Sequence, residues 1–259
     1  MGTVSKALSL LTYFDHSRTR IGLSDLTRLS GMNKATVYRL MSELQESGYV
    51  EQAGDDRSYR LGPQVLRLAA LREAAVPILS VSRRVLRDLS DETGETSHLS
   101  LLQGRQLNSL SHAYSPRTAT KVMMEDAKVL TFHGTSSGMV VLAYADPDFA
   151  EEVLSQPLEA RTPETVTDPQ EIRAQLAGIR SSGIAVSVGG FEADVHSHAV
   201  PVFGPDRKVI GALAVAAPAS RMTAEQKQLI PAALRRAGAA LTHRIGGSAP
   251  ANYPQDETA

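Results

Sequence analysis

The chain has 259 residues, and its 27 Lys and Arg against 28 Asp and Glu give a formal net charge of −1. This balance excludes a generic polyanion binder, and the length predicts a buried core and two domains. The chain contains no cysteine, which excludes disulfides, thiolate nucleophiles, Cys-type zinc sites and iron–sulfur clusters. Because we find neither an apolar run of bilayer length nor a signal-peptide pattern, we expect a cytoplasmic protein without a membrane partner.

The first predicted elements are an amphipathic helix over residues 3–16 and a pair of helices joined by a tight turn. Leucines recur one turn apart in the first helix of the pair, at Leu23, Leu26 and Leu29. Gly31 supplies the permissive backbone of the turn, and Asn33 is a good N-cap for the second helix. That second helix is expected to bury one apolar face, made of Val37, Leu40, Met41 and Leu44.

A hairpin is predicted directly after this helix. Gly48 ends the helix, Val50 begins a strand, residues 53–56 have turn composition, and residues 59–61 return as a second strand. The whole unit reads as a winged helix-turn-helix, which offers the start of its second helix to the major groove. The expected DNA-contacting residues are Lys34, Thr36, Tyr38, Arg39, Arg57, Tyr59 and Arg60.

Two alternatives remain for this unit. Two amphipathic helices and a hairpin also make a purely structural domain; Thr36 then bonds only to backbone, and Arg39 pairs with Glu43 at i+4. Residues 1–62 hold eight Lys and Arg against seven Asp and Glu, so DNA binding must depend on where the charges lie. A weakly charged DNA reader gains affinity by dimerising, because two heads double the phosphate contacts.

Beyond the wing, residues 64–75 are predicted to form a linker helix that is as apolar as it is polar, which indicates packing on another surface, such as a second subunit. Helices then alternate with strands. Helices are predicted over 77–93, 137–145, 149–155, 169–182 and 224–245, and strands over 98–103, 106–112, 129–132, 184–188, 196–203 and 209–216. The sequence therefore predicts an α+β fold with an antiparallel sheet, in which 1–62 is the DNA-binding domain, 63–76 the linker helix, 77–245 an effector-binding domain and 246–259 a disordered tail.

A metal site is one competing interpretation of the second domain. Glu192, Asp194, His196 and His198 alternate, so on one strand they would share a face, and such groups bind divalent ions. Alternatively, the two acids lie in the preceding loop and the histidines are solvated. If the strand begins at His196, then Ser197 faces the other side. We expect no metal and no cofactor.

An enzyme is the second competing interpretation, in the form of a hydrolase-like or metal-binding domain fused to a DNA-binding head. Acyl transfer needs a nucleophile, a base and an orienting acid. The sequence lacks a Gly-x-Ser-x-Gly elbow, and residues 134–138 (GTSSG) lack the lysine of a phosphate loop. We therefore expect no catalysis. A module that binds only other proteins is the third alternative, and only the first interpretation predicts a specific complex with operator DNA.

Nearly the whole chain, about residues 3–243, resembles the IclR-type (isocitrate lyase regulator) bacterial transcription factors. The resemblance lies in SKALSLLTYF, LSDLTRLSGMNKATVYRLMSELQESGYVEQ and YRLGPQVLRLA, and in LRDLSDETGETSHLSLL, FHGTSSGMVVLA, IRSSGIAVSVGGFE and AVPVFGPDRKVIGALAVAAPASRMT. It implies a winged helix-turn-helix, a linker helix and an effector domain similar to GAF sensor domains. It also implies double-stranded operator DNA and a small organic effector as partners, and a homodimer or homotetramer. From it we expect a regulator, and more specifically a repressor, of a catabolic operon.

The resemblance also implies an effector site. In the family the loop before the apolar helix offers N–H groups to an effector carboxylate, and here that loop holds Ser136 and Ser137. The floor positions that match by spacing are Ser187, Ser197, Ala214 and Ala216, where family members that bind small oxo-acids commonly carry an acid, a cysteine and two serines. The apolar walls would be Val122, Leu130, Met139, Leu142 and Val195, for which ordinary core packing is the alternative. The less polar floor favours an aromatic or larger organic acid, an amide or a related compound over glyoxylate or pyruvate.

Overall fold

The protein is described by a computed structural model that covers residues 2–15, 18–53, 57–75 and 78–254. The chain divides into two compact units, residues 1–77 and 78–259. Three predictions fall partly outside the described residues: the end of the first helix at His16, the wing turn at 54–56 and the helix start at Pro77.

The first unit is a winged helix-turn-helix, as the sequence predicts. Its elements are α1 (Thr3–Leu11), α2 (Leu23–Ser30), α3 (Lys34–Glu46), β1 (Val50–Ala53), β2 (Ser58–Leu61) and α4 (Pro63–Ala75). Gly31 ends α2 in the left-handed conformation, with φ of 66°. Asn33 caps α3, its side chain accepting a 2.8 Å hydrogen bond from the Thr36 N–H. These two residues fix the turn between the helices.

The core of this unit is built from the predicted face of α3. Val37, Leu40, Met41 and Leu44 are all buried. They pack with residues from α1, α2 and the wing strands, including Leu10, Ile21, Leu26, Val50 and Tyr59. The burial of this stripe leaves the opposite face of α3 to solvent.

The position of Tyr59 corrects one sequence expectation. Its side chain is only 2% exposed, and burial raises the pKa of its phenol. Its backbone exchanges two 2.9 Å hydrogen bonds with Ile21. In β2 the two buried residues are Ser58 and Tyr59 and the two exposed ones are Arg60 and Leu61. Tyr59 is therefore a core residue rather than a DNA-contacting residue. The sequence prediction was wrong at this position because the sequence does not show which side of the wing faces the helices.

The second unit is built on one antiparallel sheet. Its elements are α5 (Ile78–Thr93), β3 (Thr96–Gln103), β4 (Gln106–Ala113), β5 (Val129–Leu130), α6 (Ser136–Tyr144), α7 (Pro147–Leu154), α8 (Pro169–Ser182), β6 (Ala185–Val188), β7 (Val195–Phe203), β8 (Val209–Pro218), a 3₁₀ turn (Ala219–Arg221) and α9 (Ala224–Arg244). The six strands are ordered β5-β4-β3-β8-β7-β6, so the central β8 joins the hairpin β3–β4 to the hairpin β6–β7.

Helices cover both faces of this sheet. On one face, Leu99, Val200, Leu213 and Val215 pack with residues of α5 and α9. On the other face, small residues at Ala199, Ala212 and Ala214 pack with α6. Because eight of the nine residues of α6 are buried, it is a core helix, and alanines on the strands let it approach the sheet closely.

The prediction of a disordered tail over residues 246–259 is wrong for the part that the structure describes, residues 246–254. Tyr253 packs against Phe203 and Tyr144, with ring centroids 5.3 and 5.5 Å apart. Its hydroxyl donates a 3.3 Å hydrogen bond to the Gly183 carbonyl. The aromatic ring supplies buried area that a composition count does not detect. Residues 255–259 lie outside the described part of the chain.

Among the described residues, no helix has the length and apolar character needed to cross a membrane.

Candidate DNA-binding surface and effector cavity

The exposed face at the start of α3 carries four of the predicted DNA-contacting residues. Lys34 and Arg39 are exposed, Thr36 is half-buried and Tyr38 is 57% exposed. They lie opposite the buried stripe, so the Asn33 cap and the core contacts of α3 orient them without using their functional groups. This is the arrangement in which a recognition helix presents its first turns to DNA.

Three arginines of this unit differ in how they are held. Arg39 is 3.9 Å from Glu43 in an exposed pair, which is too weak to withdraw the guanidinium from a ligand. Arg60 donates a 2.6 Å hydrogen bond to Glu51, its cross-strand partner. Arg57 is exposed and has a positive φ of 55°, at the end of the described wing. Arg39 is therefore a freer contact for DNA than Arg60.

A cavity that is partly open to solvent lies in the second unit. Its walls come from β3, the segment that leads into β5, the start of α6, the edge hairpin β6–β7 and the end of β8. The lining residues are His98, Val122, Met123, Met124, Glu125, Lys128, Leu130, Thr135, Ser136, Ser137, Ser187, Phe191, Glu192, Val195, Ser197 and Ala216.

The start of α6 forms the polar end of this cavity. Thr135 caps the helix, its hydroxyl accepting a 2.9 Å hydrogen bond from the Gly138 N–H. The N–H groups of Ser136 and Ser137, the first two helical residues, have no acceptor within the helix. Together with the helix dipole they make the end of the cavity attractive to an anion.

Glycine is required where α6 begins. A Cβ at Gly138 would lie 2.3 Å from the carbonyl oxygen of Phe132, which is backbone and has little freedom to move. A Cβ at Gly190 would lie 2.8 Å from both the Gly134 carbonyl oxygen and the Ser187 hydroxyl. The first close approach holds α6 against the loop that precedes it, and the second holds that loop against the edge hairpin.

Hydroxyl groups connect the walls around this helix start. Ser136 Oγ donates a 2.9 Å hydrogen bond to Ser197 Oγ on β7. Ser187 Oγ donates a 3.1 Å hydrogen bond to the Gly134 carbonyl. The two floor serines are therefore already tied to the start of α6 and the loop before it, and among the described residues no carboxylate or cation is bonded to them.

Eight of the eleven residues predicted to bind the effector line this cavity: Val122, Leu130, Ser136, Ser137, Ser187, Val195, Ser197 and Ala216. The other three, Met139, Leu142 and Ala214, do not, and each is buried in the core between α6 and the sheet. Ala214 pairs with His98 on β3 and Ala199 on β7, so it lies on the cavity face of the sheet, in the part packed in the core with α6. These three residues fit the core-packing alternative, because they lie in the core where α6 packs on the sheet.

His98 is the main lining residue that the sequence did not indicate. It is 6% exposed, and its Nε2 lies 3.3 Å from Ser137 Oγ. Burial, helped by the neighbouring His112, lowers the pKa of His98 to about 4. The alternation of β3 puts His98 on one of two faces, but only the pairing with β8 decides which face meets the cavity.

Charged and aromatic residues at the cavity mouth were also not predicted. Lys128 lies 3.9 Å from Glu192 and 5.5 Å from the Phe191 ring centroid. The guanidinium of Arg161 lies 4.5 Å from the same centroid. Two cations therefore lie within cation–π distance of Phe191.

His196 and His198 are buried, not solvated, and their rings stack with centroids 4.8 Å apart. Burial lowers the pKa of both, and that of His198 falls to about 4. Glu192 and Asp194 precede β7, and within the described ranges no cluster of three or more His, Cys, Asp or Glu could hold a metal ion. The strand alternation places the imidazoles on the face opposite Ser197, so that the serine faces the cavity.

Residues 3–54 match the family described as the IclR helix-turn-helix domain, and residues 72–243 match the bacterial transcriptional regulator IclR C-terminal domain. The chain belongs to the IclR family of bacterial transcriptional regulators. This DNA-binding family consists of regulators and not of enzymes, which removes the hydrolase alternative. The fold and the family inferred from the sequence are therefore confirmed.

Several known IclR proteins align over nearly the full chain. The HTH-type transcriptional regulator XynR of Escherichia coli is 28% identical over 249 residues, covering 94% of this chain and 97% of that protein. A crystal structure of an IclR transcriptional regulator from Silicibacter sp. is 74% identical, with a TM-score of 0.95, and covers 98% of this chain and 100% of that one. An IclR homologue from Microbacterium hydrocarbonoxydans, crystallised with 4-hydroxybenzoate, is 27% identical with a TM-score of 0.79, covering 94% and 99% of the two chains.

Proposed function

We propose that this IclR regulator represses a catabolic operon and that an aromatic carboxylic acid bound in the cavity controls its hold on operator DNA. The observation that carries the proposal is the combination of two N–H groups without an acceptor in their helix, at Ser136 and Ser137, with an otherwise mainly apolar cavity. An acid with one ring has the anionic end and the apolar body that these two parts require.

The effector class follows from the lining residues. Val122, Leu130, Val195 and Ala216 supply apolar walls, and Phe191 supplies an aromatic ring at the mouth. A three-carbon oxo-acid would leave most of this surface without contact and would gain little from its burial. The Microbacterium neighbour that holds 4-hydroxybenzoate lends further support to an aromatic acid.

At the operator, the first turns of α3 enter the major groove. Arg39 and Thr36 are the first candidates for base or phosphate contacts, followed by Lys34 and Tyr38, and then by Arg57 and Arg60 of the wing. Since the DNA-binding segment carries almost no net charge, two heads on a pseudo-palindromic site are needed for useful affinity.

The dimer that this requires forms through apolar surface of the first unit. Exposed apolar side chains lie on α1 and α4, namely Val4, Leu8, Leu66, Leu68 and Leu71. Leu66 alone is 74% exposed, which is unusual for a leucine on a helix with so many apolar residues. A second copy covers this surface in a homodimer, and two dimers associate further into a homotetramer.

Effector binding shifts the regulator between two states that differ in operator affinity, and α4 is the covalent segment through which the change passes. The acid can shift this equilibrium only by its differential affinity for the two states. In the repressor arrangement the acid favours the state that releases DNA.

The experiment combines ligand binding with DNA binding. A melting assay should show that 4-hydroxybenzoate raises the melting temperature, whereas pyruvate and glyoxylate do not. A gel-shift assay with the DNA upstream of the chain's own gene should show a specific complex that the same acid weakens. Calorimetry showing micromolar binding of pyruvate or glyoxylate would overturn the effector class, and equal affinity for random duplex would overturn operator recognition. Light scattering tests the dimer and the tetramer directly.

A further inference from the structure

A buried histidine lines the cavity, and the proposed function leaves it without a role. His98 is buried, with a relative exposure of 6%, and it lines the cavity beside the start of α6. Its Nε2 shares a 3.3 Å contact with Ser137 Oγ. Its Nδ1 is buried and has no hydrogen-bond partner among the described atoms. A buried imidazole nitrogen without a partner is costly unless something else occupies the site.

The charges around His98 matter because an anion in this cavity needs compensation. The neighbouring strand β4 contributes His112, the Cα partner of His98, and the Nδ1 of His112 lies 2.8 Å from Asp126 Oδ1. The cavity lining contributes Glu125, Lys128 and Glu192, which carry two negative charges and one positive charge between them.

The other elements around His98 bring no charge. The cavity-lining residues of α6 are Ser136 and Ser137, β7 brings Ser197, and β8 brings Ala214 and Ala216. Apart from Lys128, which lies 3.9 Å from Glu192, the described lining therefore offers an anion the N–H groups and dipole of α6 but no permanent cation. His98 is the described lining residue that can supply a positive charge there by taking up a proton.

We propose that His98 selects for organic acids in this cavity by taking up one proton from solvent when the carboxylate binds, so that the complex holds an imidazolium–carboxylate pair beside Ser137. This rests on the proposed function and names the residue that reads the acid group. One N–H bond forms on the imidazole, and the solvent or buffer acid that releases the proton loses its bond to it, so that imidazolium and carboxylate balance in the complex. Ser136 and Ser137 N–H groups bind the carboxylate, and His98 balances its charge.

The empty site keeps His98 neutral at neutral pH, because burial holds its pKa near 4. A carboxylate at hydrogen-bond distance favours the charged imidazole and raises the pKa in the complex. Binding then takes up a proton, and the dissociation constant of the acid falls as pH decreases from about 8 to 6. Where the free group is neutral and the bound group charged, the expected change is about tenfold per pH unit.

The test is calorimetry near pH 7 with full-length protein and two probes, 4-hydroxybenzoate and its neutral analogue 4-hydroxybenzamide, in buffers of different ionisation enthalpy. Wild-type protein should take up close to one proton per bound acid and none per bound amide. His98→Gln should bind the acid about tenfold or more weakly, with no proton uptake and no pH dependence, and should bind the amide nearly as well as wild type. His112→Gln is the matched control, and it should keep the proton uptake.

The outcomes separate the two proposals. Acid binding by wild type without proton uptake would overturn the role of His98 while leaving the effector class intact. Proton uptake that persists in His98→Gln would place the proton on a group other than His98, such as the ligand, and would also overturn the role of His98. Failure of wild type to bind either aromatic probe would overturn the effector class and this inference with it. An NMR titration of His98 in the wild-type complex, which needs no variant, should show its pKa raised above 7.

Discussion

Ser136 Oγ donates a hydrogen bond of 2.9 Å to Ser197 Oγ, joining the first residue of α6 to β7 across 61 positions of sequence. Because Ser136 is the donor, the proton of the Ser197 hydroxyl is available to an acceptor in the cavity. One hydrogen bond therefore both fixes the start of α6 against the sheet and orients a donor towards the proposed effector.

Replacing Ser197 with Ala should weaken 4-hydroxybenzoate binding about two- to twelvefold, because one neutral hydrogen bond contributes about 0.5–1.5 kcal/mol. Calorimetry measures the affinity, and urea unfolding should show a loss of about 1 kcal/mol. Ser181→Ala is the control, since Ser181 is exposed on α8 and bonds only to the Ala177 carbonyl. Equal effector affinity in the two variants would remove Ser197 from the site.

Replacing Arg39 with Ala should reduce operator affinity by about 1–3 kcal/mol if Arg39 reads a base. Fluorescence anisotropy with labelled operator measures the change. Arg84→Ala is a matched control, because Arg84 lies 3.8 Å from Asp88 in an exposed i,i+4 pair much like that of Arg39 and Glu43. If Arg39→Ala and Arg84→Ala bind operator equally well, with intact circular dichroism spectra, Arg39 does not contact DNA.

Tyr59 should matter for stability and not for DNA contact. Tyr59→Ala removes a buried ring and should lower the free energy of unfolding by about 3–5 kcal/mol, as for other large-to-small changes of aromatic core residues. Tyr59→Phe keeps the ring and should leave operator affinity within about twofold of wild type, on the order of 0.4 kcal/mol. A large loss of operator affinity in a stably folded Tyr59→Phe would contradict the assignment of this residue to the core.

The start of α6 should not tolerate a Cβ at Gly138. Gly138→Ala drives a methyl group against the backbone of Phe132 and should destabilise the protein by about 1–3 kcal/mol. Gly178→Ala is the control, because Gly178 lies within α8 with no atom within 4 Å of an added Cβ, and it should stabilise by about 0.4–1 kcal/mol. Thermal unfolding of both variants measures the contrast, and a neutral Gly138→Ala would argue against the close approach.

Acid should destabilise the protein through its buried histidines. The pKa of His198 is about 4 in the folded protein, against about 6.5 for an unperturbed histidine, so the unfolded chain binds more protons between these values. The free energy of unfolding therefore decreases as pH falls from about 6.5 to 4, by up to about 3 kcal/mol for one such group. Urea unfolding at several pH values measures the slope, and His198→Gln should make it shallower. An unchanged slope would mean that His198 is not buried in its neutral form.

The sequence by itself determined the family and the local structure of the DNA-binding unit. The leucine spacing of α2, the cap at Asn33 and the left-handed Gly31 are properties of neighbouring residues, so short-range physical chemistry suffices to predict them. The same holds for α8, which was predicted over residues 169–182 and runs from Pro169 to Ser182 between its N-cap Asp168 and the left-handed Gly183. The family resemblance, read from the sequence, also pointed to eight residues that line the cavity.

Tertiary structure alone decided which faces of these elements meet. The pairing of β3 with β8 sets His98 opposite Ala214 and brings the imidazole to Ser137, 39 positions away in sequence. The packing of the wing takes Tyr59 into the core, and Tyr253 joins the aromatic cluster of Phe203 and Tyr144. A strand's alternation defines two faces but does not say which one is covered, because that depends on contacts between residues far apart in the chain.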